Sequence, residues 1–505
     1  MVANKKKNRS RHAKTGAKTG RGRIAIIDIG SNTVRLVVYD APMRLPVPLF
    51  NEKVQCELGL GLAATGCLNQ SGIKLALESI RWFTKLADAM GVDRLQLVAT
   101  AAVREAKDGN KFAKRIEKLT GHSVKILSGD EEAQAAALGV LSGVPEADGV
   151  LGDLGGGSLD LMELNEGGFG RFGTLSLGHL RLFEDAGGSP QKAHAIVGEQ
   201  FATMPWLKDM GGRTLFAVGG SMRAIARISI EQNGYSLHVI DNYEIRTPDA
   251  IRLARMVADA GPKTLSRFPG VQPNKIKTLP FAAAVLAGLL EHGQPEKLVF
   301  SSFGLREGCL INNLPKRIRK QDPLISGCMS LAERTGRFAI GGDELMQWTA
   351  PLFPQESPNG KRLRHAACLL SDLGWTEHPD YRAEHAFYRV LRLPFAGLGH
   401  ADRVFLAVAV FVRYYGDPDS IIVAPVRGLL NDQGYEQAGQ LGLAFRLANT
   451  LTGGVPGLLN RTSLSVKKGV LKLKFSGKKE AAFLSETTER RLNALAESLG
   501  LTPKI

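Results

Sequence analysis

Asp153 ends an apolar run, and Leu154, three consecutive glycines and Ser158 follow before an apolar run resumes at Leu159. A turn of Gly155, Gly156 and Gly157 carries no Cβ atoms. Its backbone N–H groups are free to converge on one anion, and a phosphate can approach them closely. The hydroxyl of Ser158 adds a donor. A carboxylate beside such a loop repels phosphate, so Asp153 belongs there if a divalent cation lies between them or if it orients a water. A single turn of this kind is as often a tight hairpin. Here the pattern recurs. "IIDIGSNTVRLVV" lies 125 residues upstream of "LGDLGGGSLDLME", and Asp28, Gly30, Thr33 and Arg35 align with Asp153, Gly155, Ser158 and Asp160. Ser31 and Asn32 complete the first loop. A third stretch, "TLFAVGGSMRAIARI", places Gly220 and Ser221 at the start of a helix, whose N-terminus favours anions. "GLGLAATG" (59–66) touches a dinucleotide fingerprint, but Ala64 takes the third glycine position and no strand–loop–helix unit frames it.

Residues this far apart meet only if the elements carrying them are arranged alike. "RIAIIDIGSNTVRLVVYD" (23–40) reads as strand, turn and strand. Ile73, Leu77, Ile80, Phe83, Ala87 and Met90 have helical spacing. A strand at 94–100, a helix over about 108–120 and a strand, turn and helix in "SVKILSGDEEAQAAALGVL" follow. The matching hairpins predict an internal duplication, two α/β lobes over 23–148 and 149–314. Beyond "LPKRIRKQDP" long helical patterns dominate, so 315–455 reads as a helical domain. The rest, 456–505, holds the lysine-rich alternation "SLSVKKGVLKLKFSGKKE" and a last helix, a small α+β segment.

Composition narrows the class. The chain has 505 residues, 44% hydrophobic and 23% charged, which is ordinary for a globular protein. A net charge of +16 points to a polyanionic partner. Residues 1–23 hold nine Lys or Arg and no acid, so 1–22 is expected to be a disordered basic tail that could bind nucleic acid incidentally. Cys56, Cys67, Cys309, Cys328 and Cys368 are scattered without a CxxC pair, which fits a reducing cytoplasm. No apolar run reaches membrane length, and "LPFAAAVLAGLL" and "VFLAVAVFV" read as buried helices. No apolar segment follows the basic N-terminus, so no signal peptide is expected.

The three loops resemble the phosphate loops of the actin, sugar-kinase and chaperone-ATPase superfamily, with a ribonuclease H-like duplicated core. More narrowly, "DIGSNTVRL", "ATAAVREA", "SGDEEAQ", "GDLGGGSLDL", "VGGSMRAIA" and "FGLREG", in that order over about 23–312, resemble the bacterial exopolyphosphatase and guanosine pentaphosphate phosphohydrolase family. The resemblance implies removal of the terminal phosphoryl group of polyphosphate or the 5′ γ-phosphate of guanosine pentaphosphate, with Mg²⁺ (or Mn²⁺), in a homodimer. It implies that Asp153 is metal-linked, that Arg104 contacts phosphate and that Glu132 is the general base. Asp28 and Asp160 join the expected metal set. The family often has Glu where this chain has Asp160, a shorter arm that would reach the metal through water. The helical part resembles a degenerate HD-type phosphohydrolase domain, its His-Asp pair replaced by Ser371-Asp372. His365, His378 and His385 are then packing or surface residues.

These roles suit phosphoryl transfer, which needs donors and cations around the equatorial oxygens and a base aimed at a water. Competing expectations attach to the same residues. A lone arginine such as Arg104 more often pairs with a neighbour, here Glu105 or Asp108. One of Glu131 and Glu132 offsets the helix dipole. An actin-like kinase or filament protein shares the loops but needs an adenosine pocket, and a nucleic-acid binder needs aromatic-basic motifs that are missing.

Overall fold

The protein is described here from a computed structural model, over residues 22–40, 43–45, 48–337, 341–476 and 484–505. The basic tail expected over 1–22 therefore lies almost wholly outside the described residues.

Strands β1 (Ile24–Ile29), β2 (Thr33–Tyr39) and β3 (Pro48–Gln55) form an antiparallel meander. Helix α1 (Gln70–Ala89) returns the chain to β4 (Arg94–Ala99), parallel to β1. Short α2 (Ala101–Glu105), α3 (Gly109–Thr120) and β5 (Val124–Ile126) complete a sheet of order 3-2-1-4-5. Helix α4 (Gly129–Gly143) leads into the repeat. There, β6 (Gly149–Leu154), β7 (Leu159–Asn165) and β8 (Gly168–Leu175) form the second meander. Helices α5 (His179–Asp185) and α6 (Pro190–Ala202) precede β9 (Thr214–Val218) and α7 (Gly220–Gln232). Then come β10 (Tyr243–Arg246), α8 (Thr247–Ala258), α9 (Leu279–Gly293), β11 (Lys297–Phe300) and α10 (Leu305–Asn312). The second sheet runs 10-11-9-6-7-8, so 8-7-6-9-11 repeats 3-2-1-4-5 and β10 adds an edge. The expected duplication is a duplication of topology.

Strand periodicity decides where the carboxylates face. Ala25, Ile27 and Ile29 pack against Ile73, Ile80 and Phe83 of α1. The alternate residues Ile24 and Ile26 pack with Leu310 of α10, and a period of two puts Asp28 on that face. Likewise Leu151, Met162 and Leu164 pack on Ala133, Ala136 and Ala137 of α4, and Asp153 and Asp160 share their face. Both loop aspartates therefore point between the lobes, where α4 and α10 cross. That crossing needs glycine, because a Cβ on Gly139 would collide with the Gly304 carbonyl and one on Gly308 with that of Ala135. A cut at 148/149 assigns α4 to the first lobe by sequence, yet the helix packs on the second sheet.

The two apolar runs are buried helices, α9 and, in the helical domain, the helix His400–Arg413. That domain comprises α11 (Pro323–Thr335), α12 (Gly342–Thr349), α13 (Pro358–Leu370), α14 (Arg382–Leu391), α15 (His400–Arg413) and α16 (Asp432–Thr452). Asp372 is held bidentately by Arg337, at 2.9 and 2.8 Å. The chain closes with β12 (Thr462–Lys467), β13 (Val470–Phe475), α17 (Glu486–Ser498) and β14 (Thr502–Lys504), a three-stranded sheet with one helix. Among the described residues no helix is long and apolar enough to cross a membrane.

Candidate active site

The two hairpin turns are built alike. Gly30 N donates to Thr33 O at 3.0 Å, and Gly155 N donates to Ser158 O at 3.0 Å. Asp28 lies across from Arg35 in the first hairpin, and Asp153 across from Asp160 in the second. The third loop requires glycine at Gly219, which has φ +115° and where a Cβ would come 2.5 Å from Leu154 O. All three loops open into one cleft between the lobes. Its lining includes Asp28, Glu132 and Asp153, together with Gly30 to Thr33, Gly155 to Ser158, Gly220 and Ser221.

The three consecutive glycines do different work. A Cβ on Gly156 would lie 3.2 Å from Ser31 Cβ, and one on Gly157 3.0 Å from Ser31 Oγ. Those two glycines let the first loop press against the second, and Ser31 is buried there. Gly155 is exposed, and a Cβ on it would meet only Ser158 O, at 3.5 Å. Of the three it is the one whose bareness is turned to the open cleft. Polar contacts join the lobes on either side. Arg181 pairs with Glu105 at 2.7 Å, and Gly61 N donates to Glu184 at 2.9 Å. Lys53 donates to Gln272 at 3.0 Å, and Asn274 to Gln55 at 2.6 Å.

The acidic pair separates by geometry. Glu131 closes a capping box with Ser128, by bonds of 3.1 and 3.0 Å, and also pairs with Lys125 at 2.7 Å. Glu132, one residue on, is turned into the cleft, and its carboxylate accepts from Arg104 at 2.7 Å. Arg104 also donates to Leu127 O at 3.0 Å. Among the described residues it pairs with neither Glu105 nor Asp108. Both of its bonds are made by Nη1, so the expected phosphate contact of Arg104 falls to the other nitrogens of its guanidinium.

Carboxylates crowd this side. Burial, then the charge of Asp160, pushes Asp153 up to about 7. The same two causes raise Glu132 above the usual range, against the pull of Arg104. Burial also raises Asp160 and Asp28, the latter against Arg306 at 3.7 Å. A cation between Asp28 and Asp153 would relieve this repulsion. Two carboxylates and no soft ligand suit a hard ion that keeps waters and binds substrate oxygens, as magnesium does. The expected metal set also included Asp160, reaching the ion through water. No group of three His, Cys, Asp or Glu able to hold a metal occurs among the described residues. Asp160 is buried, and its oxygens accept from Thr174 at 2.8 Å and Ser158 at 3.0 Å, which fixes the end of the second loop.

Sequence reasoning passed over the cations of the cleft. Arg35, Lys53, Arg223, Arg227, Lys275 and Arg306 all line it. Arg35, Arg223, Arg227 and Arg306 stand in "DIGSNTVRL", "TLFAVGGSMRAIARI" and "FGLREG", stretches already singled out for their glycines, so a signal was present for those four. Lys53 and Lys275 carry none. His179 also lines the cleft, beside the second loop, and burial followed by Lys275 holds its imidazole down to about 3.

A duplicated two-lobe α/β core with glycine loops and carboxylates at its cleft defines a phosphate-handling enzyme of the actin-like class. The chain belongs to the Ppx/GppA phosphatase family, whose match spans residues 37–317, more than half of its length. Residues 324–504 match the exopolyphosphatase C-terminal family. The guanosine-5'-triphosphate,3'-diphosphate pyrophosphatase of Aeromonas salmonicida is 22% identical over 406 residues, 77% of this chain and 80% of that protein. Its counterpart in Aeromonas hydrophila is 21% identical over 402 residues, with the same coverage. The exopolyphosphatase structure from Cytophaga hutchinsonii superposes with a TM-score of 0.53 at 21% identity, covering 58% of this chain and 99% of that one, a likeness of fold.

Proposed function

We propose that the protein is an exopolyphosphatase that hydrolyses the terminal phosphoanhydride bond of linear inorganic polyphosphate, one phosphoryl group at a time. One observation carries this reading. Three phosphate loops, an acidic side and a cation-rich side share a single cleft, and no Phe, Tyr or Trp is among its lining residues. Such a site accepts a dense polyanion through its donors and cations and offers a nucleobase no Phe, Tyr or Trp face among the described residues.

The N–H groups of the three loops hold the oxygens of the terminal phosphoryl group, where charge spreads in the transition state. Glu132 takes the proton of the attacking water, and its raised pKa makes it the stronger base once ionised. Arg104 keeps that carboxylate in place. Asp160 fixes Ser158 and so the second loop. Asp28 and Asp153 would hold a magnesium ion, which when bound neutralises phosphate charge. A reducing cytoplasm, a homodimer and a role for the basic tail in holding polyanions belong to the same proposal.

The Aeromonas relatives favour a second reading, guanosine pentaphosphate hydrolysis. Phosphate release from long-chain polyphosphate and from guanosine pentaphosphate, each with and without Mg²⁺, tests both. We expect metal-dependent release with kcat/KM higher on polyphosphate. The opposite preference would replace the first reading by the second.

A further inference from the structure

The three-stranded sheet that closes the chain has two unlike faces. Leu464, Leu471 and Leu473 pack inward with Trp348 of α12 and with Leu492 and Leu495 of α17. A period of two turns the alternate residues the other way. Those include Ser463, Ser465 and Lys467 on β12, Lys472 and Lys474 on β13 and Lys504 on β14. Ser463 stands opposite Lys474, Ser465 opposite Lys472, and Lys472 opposite Lys504. Neighbouring lysines are therefore about 5–8 Å apart at the backbone. Lys467 and Val470 close the hairpin, so its turn is Lys468-Gly469, with φ +49° and +75°. A turn with both central residues at positive φ favours Asn-Gly. A lysine there adds a fifth cation at the tip, against the local preference of the backbone.

The face carries one sign of charge. No Asp or Glu occurs from Thr462 to Phe475 or from Thr502 to Lys504. Among the described residues the ion-paired lysines are Lys125 and Lys297, so none of these five is neutralised there. Lys467, Lys468, Lys474 and Lys504 are exposed and Lys472 is half-buried. Lysines on edge strands keep sheets from pairing edge to edge, which accounts for Lys467 and Lys504. It does not account for Lys472 and Lys474, because β13 is the central strand. Like charges set directly opposite, as Lys472 and Lys504 are, weaken a sheet, and a bound anion relieves them.

The shape of the face selects among anions. Lysines on all three strands spread the charge over about 10 Å across the sheet. A plate of that width meets two rows of phosphates, whereas a single-file polyanion offers one. Phe475 packs with the core on the inner face, so no aromatic ring stands among the lysines to stack an unpaired base. Ser463 and Ser465 bring hydroxyl donors of the kind that contact phosphate oxygens. None of these residues lines the catalytic cleft. We infer that the outer face of the C-terminal sheet, with Lys467, Lys468, Lys472, Lys474 and Lys504, docks the protein on the sugar–phosphate backbone of a nucleic-acid duplex, whatever its base sequence. This activity is separate from hydrolysis in the cleft and does not depend on it.

The test follows binding of a labelled duplex of about 20 base pairs by fluorescence anisotropy over a range of salt concentrations. The full chain is compared with the triple variant Lys467→Gln/Lys474→Gln/Lys504→Gln and with the corresponding triple Arg variant. All three positions are exposed, so thermal unfolding is expected to be the same for the three proteins. The basic N-terminal segment is common to all, and the difference between them reads the sheet. Loss of three phosphate contacts is expected to weaken duplex binding about 10²-fold at about 50 mM salt and to lower the log–log salt slope by about three units. The Arg variant is expected to bind as the wild type does. A single strand of the same length is expected to bind more weakly than the duplex, and phosphate release from long-chain polyphosphate to be the same in the Gln variant. Unchanged duplex affinity and slope in the Gln variant overturn the inference. So does a single strand held more tightly than the duplex. Loss of binding to phosphatidylserine vesicles with duplex binding intact would make the face a membrane surface instead. A KM for long-chain polyphosphate that rises in step with the duplex Kd would make it part of the substrate track.

Discussion

The two glycine hairpins share one register and differ in one charge. Opposite Asp28 stands Arg35; opposite Asp153 stands Asp160. The difference spreads to the surroundings. Asp28 has Arg306 and Arg35 as its principal counter-charges. Asp153 has Asp160 as its strongest neighbouring charge and is pushed up to about 7. A duplicated scaffold thus became polar across its own pseudo-symmetry. The first hairpin adds a cation to the lining of the cleft. The second adds a buried carboxylate, held by Ser158 and Thr174, beside Asp153. Two identical hairpins would have made either two cation traps or two anion traps, and phosphoryl transfer requires one of each.

The largest effects should come from breaking the acidic side. Glu132→Gln keeps the size of the side chain and cannot accept a proton, so kcat is expected to fall about 10²–10⁴-fold. Substrate affinity should hold or improve, because a negative charge leaves the cleft. Glu131→Ala, in contrast, removes the capping-box partner of Ser128 and should cost about 0.5–2 kcal/mol of stability with little change in kcat. Steady-state kinetics and thermal unfolding of the pair separate base from cap. Loss of kcat in Glu131→Ala alone would reverse the assignment.

Much of this site was legible because its signals are local. Asp28, Asp153 and the glycine turns sit in short stretches whose repetition is visible in the chain, and strand periodicity alone decides which way the aspartates face. The division of labour within Gly155, Gly156 and Gly157 was not legible, since it depends on Ser31 of the other lobe pressing on two of them. Nor was the commitment of Arg104 to Glu132, 28 residues away and on another helix. The cation-rich side of the cleft was the least readable. Its members run from Arg35 to Lys275; Arg35, Arg223 and Arg227 stand in stretches noted for other residues, Lys53 and Lys275 in none, and only the closing of two sheets around α4 and α10 brings them together. The same closure explains why α4, read as part of the first lobe, packs on the second.

Intermediate effects should come from changing the cross-strand charges themselves. Asp153→Asn keeps the shape and loses the charge that attracts the cation, so the Mg²⁺ concentration for half-maximal activity is expected to rise about tenfold or more. Arg35→Gln should leave the Mg²⁺ requirement near its original value and raise KM by about tenfold, the scale of one lost charge-assisted contact. Mg²⁺ titrations of both variants at several substrate concentrations distinguish them. If Asp153→Asn stayed fully active at low Mg²⁺, the metal role of that carboxylate would be wrong.

The smallest effect is on stability, and there the two poles have opposite signs. Asp153 is pushed up to about 7 from an ordinary value of 3.8. Between those values the folded protein holds a proton that the unfolded chain has released. The resulting stabilisation is complete below the ordinary carboxylate range and is lost as pH rises through about 7. Asp28, Glu132 and Asp160 are raised as well and act in the same direction. Lys275 is pulled down to about 7 from 10.5. Across that window the unfolded chain binds the extra proton, so the stability lost below about 7 is recovered as pH rises through it toward 10.5. Together these groups place a minimum of their stability contribution near neutral pH, where both poles carry unrelieved charge. Thermal unfolding of the wild type minus that of Asp153→Asn should therefore grow more negative from pH 4 to pH 7 and then level off. The difference between wild type and Lys275→Gln should be most negative near pH 7 and below, and shrink toward pH 10. At about 2–4 °C per kcal/mol for a domain of this size, shifts of several degrees are measurable. Added Mg²⁺ with tripolyphosphate should fill in the minimum, because each ligand supplies the charge that one pole lacks. Parallel pH curves for wild type and both variants would mean that the raised and lowered groups do not constitute opposing poles, and the contrast between the two hairpins would then be one of sequence only.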